Sequence, residues 1–172
     1  MDSSSSSSDS RFIYDVFISF RGQDTRQSFV SHLHAAFSNA RINTFVDNKL
    51  ILKGAELGSE LLGLQKLPRA IEKSRISIVV FSKNYTESIW CLNELEKIME
   101  CRTNHGQVVI PVFYDVPPSV VRLQQGAFGK SLQETAENRY LDRELRENVL
   151  SSWRTALTEA ANFSGWDVTN YR

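Results

Sequence analysis

From Tyr14 onward, short apolar runs alternate with stretches whose apolar residues recur at helical spacing. The first run, YDVFISF, is β-rich without strict alternation, the pattern of a strand buried on both faces. RQSFVSHLHAAFSNA follows, with Phe29, Leu33, Ala36, Phe37 and Ala40 on one helical stripe. INTFVD reads as a second strand, NKLILKGAEL as a loop containing Gly54, and SELLGLQKLPRAIEKS as helical material broken by Gly63 and Pro68. RISIVVFS is a third strand and SIWCLNELEKIMEC a helix. QVVIPVFYDV is a fourth strand, whose Pro111 lacks a ladder donor and so predicts a partly exposed or irregular strand. VPPSVVRLQQG reads as a turn-rich loop. AFGKSLQETAENRY and LRENVLSSWRTALTEAANF read as helices, the last with a strong amphipathic stripe.

Strands alternating with helices imply an α/β fold with a parallel sheet covered on both faces. Right-handed crossovers favour a doubly wound, flavodoxin-like arrangement. In such folds ligands bind beyond the carboxyl ends of the strands. Those ends carry Phe20-Arg21-Gly22, the Asp47 loop, Ser82 and the start of the Trp90 helix.

Composition narrows the classes. With 172 residues and 41% hydrophobic content, the chain suits one domain with a sizeable core. Twenty basic residues balance twenty acidic ones, so no electrostatic case exists for sequence-independent nucleic-acid binding. Cys91 and Cys101 lie ten apart on one predicted helix and cannot reach each other. Without a framework of paired cysteines, a reduced intracellular setting is expected. The apolar runs are too short to span a bilayer, and no apolar signal segment opens the chain. MDSSSSSSDS is low-complexity and polar, which predicts a disordered leader over residues 1–11. A plastid transit peptide is the alternative, disfavoured by Asp2 and Asp9 and by the lack of arginine before Arg11.

Projected at about 100° per residue, the helix after the third strand has a buried arc of Cys91, Leu92, Leu95, Ile98 and Met99. Asn93, Glu96, Lys97 and Glu100 form its wet arc. Trp90, Glu94 and Cys101 share one border. Glu94 therefore sits four residues after an aromatic, on the same face. One reading is a partly desolvated carboxylate beside an aromatic wall. The other is a border residue paired with Lys97. Arg21 and Gly22, directly after the first strand, suit an anion contact or an ordinary loop. Ser31 and His32 point away from their helix's apolar stripe. With Ala35 they offer either a wetted surface or a flat, closely packable self-association patch.

Taken in order, YDVFISFRGQDTRQSFVSHLHAAF, FVDNKL, RISIVVFSKNYTESIWCLNELEKIMEC, VIPVFYDV and WRTALTEAANFSGW resemble the plant TIR domains of immune receptors, from about Tyr14 to Trp166. The resemblance implies a flavodoxin-like domain over residues 12–166, with a five-stranded parallel sheet and helices on both faces, and a tail or linker start at 167–172. It implies an NAD+ nucleosidase, related to ADP-ribose cyclases, that works when several copies assemble and makes nucleotide signals for defence and cell death. Glu94 falls on the family's catalytic glutamate. Trp90, Phe20, Arg21 and Gly22 fall on substrate-site positions, and Ser31-His32 on the self-association interface. NAD+ is the expected substrate, with NADP+ as a second candidate. No metal or separate cofactor is expected. Expected partners are other TIR domains, and nucleotide-binding and leucine-rich repeat regions in a longer receptor. The cytoplasm or nucleus is the expected location.

Two departures from the family pattern stand out. Asp115-Val116-Pro117-Pro118 replaces the usual Asp-Pro pair, and residues 63–67, GLQKL, look like an insertion. Three rival functions compete with this reading. A non-enzymatic TIR–TIR adaptor would not require Glu94 with Trp90 at i−4. A phosphoacceptor receiver needs an acidic pair after the first strand, where Ser19-Phe20-Arg21 stands. A nuclease or cyclic-nucleotide synthetase acting on nucleic acid finds little support in a neutral chain.

Overall fold

The strands are β1 (Tyr14–Ser19), β2 (Thr44–Val46), β3 (Ser74–Phe81), β4 (Val108–Tyr114) and β5 (Trp166–Val168). All pair in parallel, in the order β2-β1-β3-β4-β5. The helices are α1 (Gly22–Thr25), α2 (Ser31–Asn39), α3 (residues 67–72), α4 (Ile89–His105), α5 (Pro118–Leu123), α6 (Gly126–Arg139) and α7 (Arg143–Ala161). A 3-10 turn at Tyr85–Glu87 precedes α4. This computed structural model describes residues 11–25, 29–46 and 67–168. The leader before Arg11, the loop after Asp47 with Gly54, and Gly63 with the rest of the insertion before Leu67 lie outside the described residues.

Alternation along each strand splits the core in two. Phe17, Val79, Phe81, Val109 and Phe113 face α4 and α7, where Leu92, Leu95, Ile98, Trp153 and Leu157 are buried. Each large side chain fully buried here contributes about 1.5–3 kcal/mol. Val16, Ile18, Phe20, Ile78, Val80 and Val112 form the opposite face, with Leu33 and Phe37 of α2 against them. That second face is thinly covered. No residue of α2 is buried, and Val108 and Trp166 remain 50% and 62% exposed.

The fold class and the four strands read from the pattern are all present, and the differences are local. Ala36 and Ala40 are exposed, so the α2 stripe narrows to Leu33 and Phe37. The expected loop at 116–126 contains α5. Pro118 occupies its first turn, where a proline's fixed φ suits a helix start, so the departure at Pro117-Pro118 builds a helix rather than an irregular loop. Pro111 is buried in a regular strand between β3 and β5. A Cβ on Gly165 would lie 1.9 Å from the Pro111 carbonyl, so this carbonyl points toward the entry to β5. The missing N–H points the same way, just ahead of the first β4–β5 pair, Val112 with Trp166, where no donor is needed. β5 itself takes in Asp167 and Val168, so the sheet runs past the expected boundary at residue 166.

Candidate functional site

In a sheet of this order the chain leaves β1 toward β2 and returns past it to β3. The crevice therefore lies beyond the carboxyl ends of β1 and β3. Those ends deliver Ser19, Phe20 and Arg21 on one side and Phe81 and Ser82 on the other. The amino end of α4 closes the group. Its start is set locally: Ser88 caps it, the side chain accepting from Cys91 N at 3.2 Å. Its end is set by Gly106, which takes the left-handed conformation at φ 66°.

Glu94 is 4% exposed, more deeply placed than the border position predicted from periodicity. The reason lies outside its helix. Leu67, Pro68 and Ile71 of α3 pack against that edge of α4 and line, with Trp90, Asn93 and Glu94, a niche of about 60 Å3. The reading that pairs Glu94 with Lys97 fails. Lys97 Nζ instead reaches Glu72 at 2.7 Å and Glu100 at 3.4 Å. Glu72 is held below its ordinary value by the Lys97 hydrogen bond, and Lys97 is raised by Glu72 in turn. Cys101, expected on the border with Trp90 and Glu94, is buried, and neither cysteine is in a disulfide.

Phe20 and Arg21 separate. The Phe20 ring is 1% exposed among the residues under α2, so it packs in the core rather than lining an open cleft. Its carbonyl accepts from Cys91 Sγ at 3.4 Å. Arg21 stays at the crevice, where its guanidinium binds Asp24 at 3.0 Å and Glu87 at 3.2 Å. Gly22 begins α1 beside it. Ser31 and His32 are exposed at the first turn of α2. The structure thus brings Trp90 and Glu94 together, keeps Arg21 and Gly22 at the same end of the sheet, and sets Ser31 and His32 on an outer surface.

Two residues that hold this end together were not identified from the sequence. Asp24 accepts four hydrogen bonds: from Arg21 (3.0 Å), Ser82 Oγ (2.6 Å), Asn84 N (3.2 Å) and Asn84 Nδ2 (3.3 Å). One carboxylate thereby ties the β1 exit to the β3 exit. The i,i+3 charge pair within RGQD was the available signal; the contacts to Ser82 and Asn84 had none. Asp24→Ala should lower stability by about 1–3 kcal/mol, because buried Ser82 loses its acceptor. It should also release Arg21 toward Glu87 alone. Thermal melts read the first effect, and a change in Arg21 side-chain NMR shifts reads the second. A wild-type melting temperature would remove Asp24 from this role.

Tyr85 is the second. It is fully buried, donates its hydroxyl proton to the Cys91 carbonyl at 3.0 Å, and lies 3.0 Å from Ser19 Oγ. With its single proton committed, it accepts from Ser19. Ser19, Tyr85, Cys91 and Phe20 so form one buried relay that fixes the α4 start against β1. Burial pushes the Tyr85 hydroxyl well above its ordinary value of 10.0, reinforced by nearby Cys91 and Glu94, against the Ser19 hydrogen bond. The folded state therefore keeps this proton while the unfolded chain loses it above about pH 10. Stability from this group is complete below that pH and falls as pH rises beyond it. Tyr85→Phe should cost about 1–3 kcal/mol at neutral pH by stranding Ser19, and should flatten the alkaline decline. Melting temperature against pH for both proteins checks this; parallel alkaline limbs would exclude the relay as the cause.

Among the described residues, no group of three or more histidine, cysteine, aspartate or glutamate side chains is placed to hold a metal ion. Among them also, no helix is long and apolar enough to cross a membrane.

The sequence profile of the TIR domain family matches residues 13–172. The chain is 51% identical over 161 residues to TMV resistance protein N of Nicotiana glutinosa, covering 94% of this chain and 13% of that protein. It is 48% identical over 159 residues to disease resistance protein RPV1 of Vitis rotundifolia, covering 92% of this chain and 10% of that one. It therefore spans only 10–13% of the length of these relatives. Among solved structures it resembles the TIR domains of the activated Roq1 resistosome that directly recognises the pathogen effector XopQ. The TM-score is 0.73 at 47% identity, covering 90% of this chain and 87% of that one.

Proposed function

Because the chain belongs to the TIR domain family, we propose that it is the signalling domain of a plant disease-resistance receptor and that it hydrolyses NAD+ at the niche shared by Trp90 and Glu94. The observation that carries the reading is the placement of Glu94: almost wholly buried, yet on the wall of a niche beyond the carboxyl ends of the strands of a doubly wound sheet, with Trp90 lining the same niche.

One carboxylate suffices for this reaction. The bond broken joins ribose C1′ to the ring nitrogen of a cationic nicotinamide. The bonding pair passes to nitrogen, and nicotinamide leaves neutral. Ordinary glycosidases need a second carboxylate because their leaving oxygen must be protonated; here none is required. Glu94 stabilises the positive charge developing on the ribose ring. Water adds at C1′ and loses a proton, giving ADP-ribose, or a hydroxyl of the same nucleotide adds instead and gives a cyclic product. Trp90 offers a flat surface for the nicotinamide or the ribose.

The niche of about 60 Å3 is smaller than the ~300 Å3 or more that a ligand of this size occupies. Catalysis therefore requires it to widen, which is the step we assign to assembly. The TIR domains it resembles were solved in an activated resistosome, and the exposed start of α2 is the surface offered to a second copy. Incubating concentrated protein with NAD+ and measuring nicotinamide by chromatography tests the proposal. Release that climbs faster than protein concentration is the expected result. Self-association without any release would leave the adaptor reading in its place.

A further inference from the structure

Cys91, next to Trp90 and one turn before Glu94, is held at three points. Ser88 Oγ accepts from its N–H at 3.2 Å, its carbonyl accepts from the Tyr85 hydroxyl at 3.0 Å, and its Sγ donates to the Phe20 carbonyl at 3.4 Å. We propose that Tyr85 is a positioning residue: through the Cys91 carbonyl its hydroxyl fixes the first turn of α4, and with it the placement of Glu94 against the ribose of the substrate. The proposal rests on the reading of the Trp90 and Glu94 niche as the NAD+ site, and adds what holds the carboxylate in register.

A simpler account is that Tyr85 only fills the core. Its ring does so, edge-on to Phe81 with the centroids 5.0 Å apart. Packing does not call for the hydroxyl, and burying one is costly unless it is bonded. Here it is bonded on both sides, to the Cys91 carbonyl and to Ser19 Oγ at 3.0 Å. Nor does the start of α4 require it, since Ser88 already caps the helix. In an α-helix the Cys91 carbonyl pairs with the amide of Leu95, the residue beside Glu94. The Tyr85 bond is therefore a second one on an atom that has a partner. What it adds is a tie from the turn after β3, and through Ser19 from the end of β1, to the stretch of helix that carries Trp90 and Glu94. Glu94 is near enough to reinforce burial and Cys91 in raising the Tyr85 hydroxyl. A group that acts on a developing charge needs such support, because a misplacement of about 1 Å costs on the order of 100-fold in rate.

The test compares Tyr85→Phe, Ser19→Ala and the double variant. Tyr85→Phe should lower kcat for nicotinamide release at least about five-fold while KM stays within about two-fold, because Glu94 acts on the transition state. Ser19→Ala should keep the parent kcat, since Tyr85 still holds Cys91. In the double variant no hydroxyl is stranded, so most of the melting temperature lost in Tyr85→Phe should return while kcat stays low. The indole N–H signal of Trp90 reads the same placement without substrate. It should shift in Tyr85→Phe and hold in Ser19→Ala. An unmoved Trp90 signal in Tyr85→Phe, or a kcat that recovers along with the melting temperature in the double variant, would overturn the proposal. A parent protein that releases no nicotinamide would remove the NAD+ reading instead, and the Trp90 signal would then decide on Tyr85 alone.

Discussion

Glu94→Gln is expected to reduce nicotinamide release by at least about 100-fold, because it removes the charge that the proposed reaction sets against the developing cation. The substitution keeps the volume of a side chain that is 4% exposed. The fold should therefore survive, with a change in stability within about 1 kcal/mol. Glu94→Ala should lose the same activity but also stability, by about 1–3 kcal/mol, since it leaves a void between α3 and α4. For a domain of this size each kcal/mol moves the melting temperature by about 2–4 °C. The two variants separate chemistry from packing. An active Glu94→Gln protein would remove Glu94 from the reaction, whatever the alanine variant did.

Replacing both Ser31 and His32 with alanine is expected to abolish the rise of activity per molecule with protein concentration. Both side chains are exposed on α2, a helix with no buried residue. Their loss should cost little in the monomer, within about 0.5 kcal/mol. A partner copy would lose a contact surface. Light scattering alongside the NAD+ assay should show a smaller species at every concentration and low, flat specific activity. If the double variant scatters like the parent and keeps its concentration dependence, assembly uses another face. Because Glu94→Gln should still associate, the two variants report on separate steps.

The site was legible in proportion to how local its causes are. The pairing of Trp90 with Glu94 is a matter of four residues along one helix, and periodicity alone puts them on one face. The start of α4 at Ser88 and its end at Gly106 are likewise matters of single residues and their immediate neighbours. Asp24 was half legible. Its salt bridge to Arg21 lies within one turn, but its bonds to Ser82 and Asn84 join residues 58 and 60 positions apart. Tyr85 carries no signal along the chain, because the partners that give it a role come from β1 and α4.

By itself the sequence determined the order of strands and helices, hence a parallel doubly wound sheet, and with it the end of the sheet at which the candidate site lies. Apolar runs and helical spacing carry that information, since each element must bury its own face somewhere. Only the tertiary structure decided how deep each border residue sits. Periodicity gives an angle around a helix axis, but burial depends on what packs against that angle. α3 covers Glu94, so a predicted rim position is 4% exposed. β5 follows β4, so a buried proline loses no donor it needed. And Phe20, one residue past β1, keeps to the face that Val16 and Ile18 bury, while Arg21 beside it reaches Asp24 and Glu87 at the crevice.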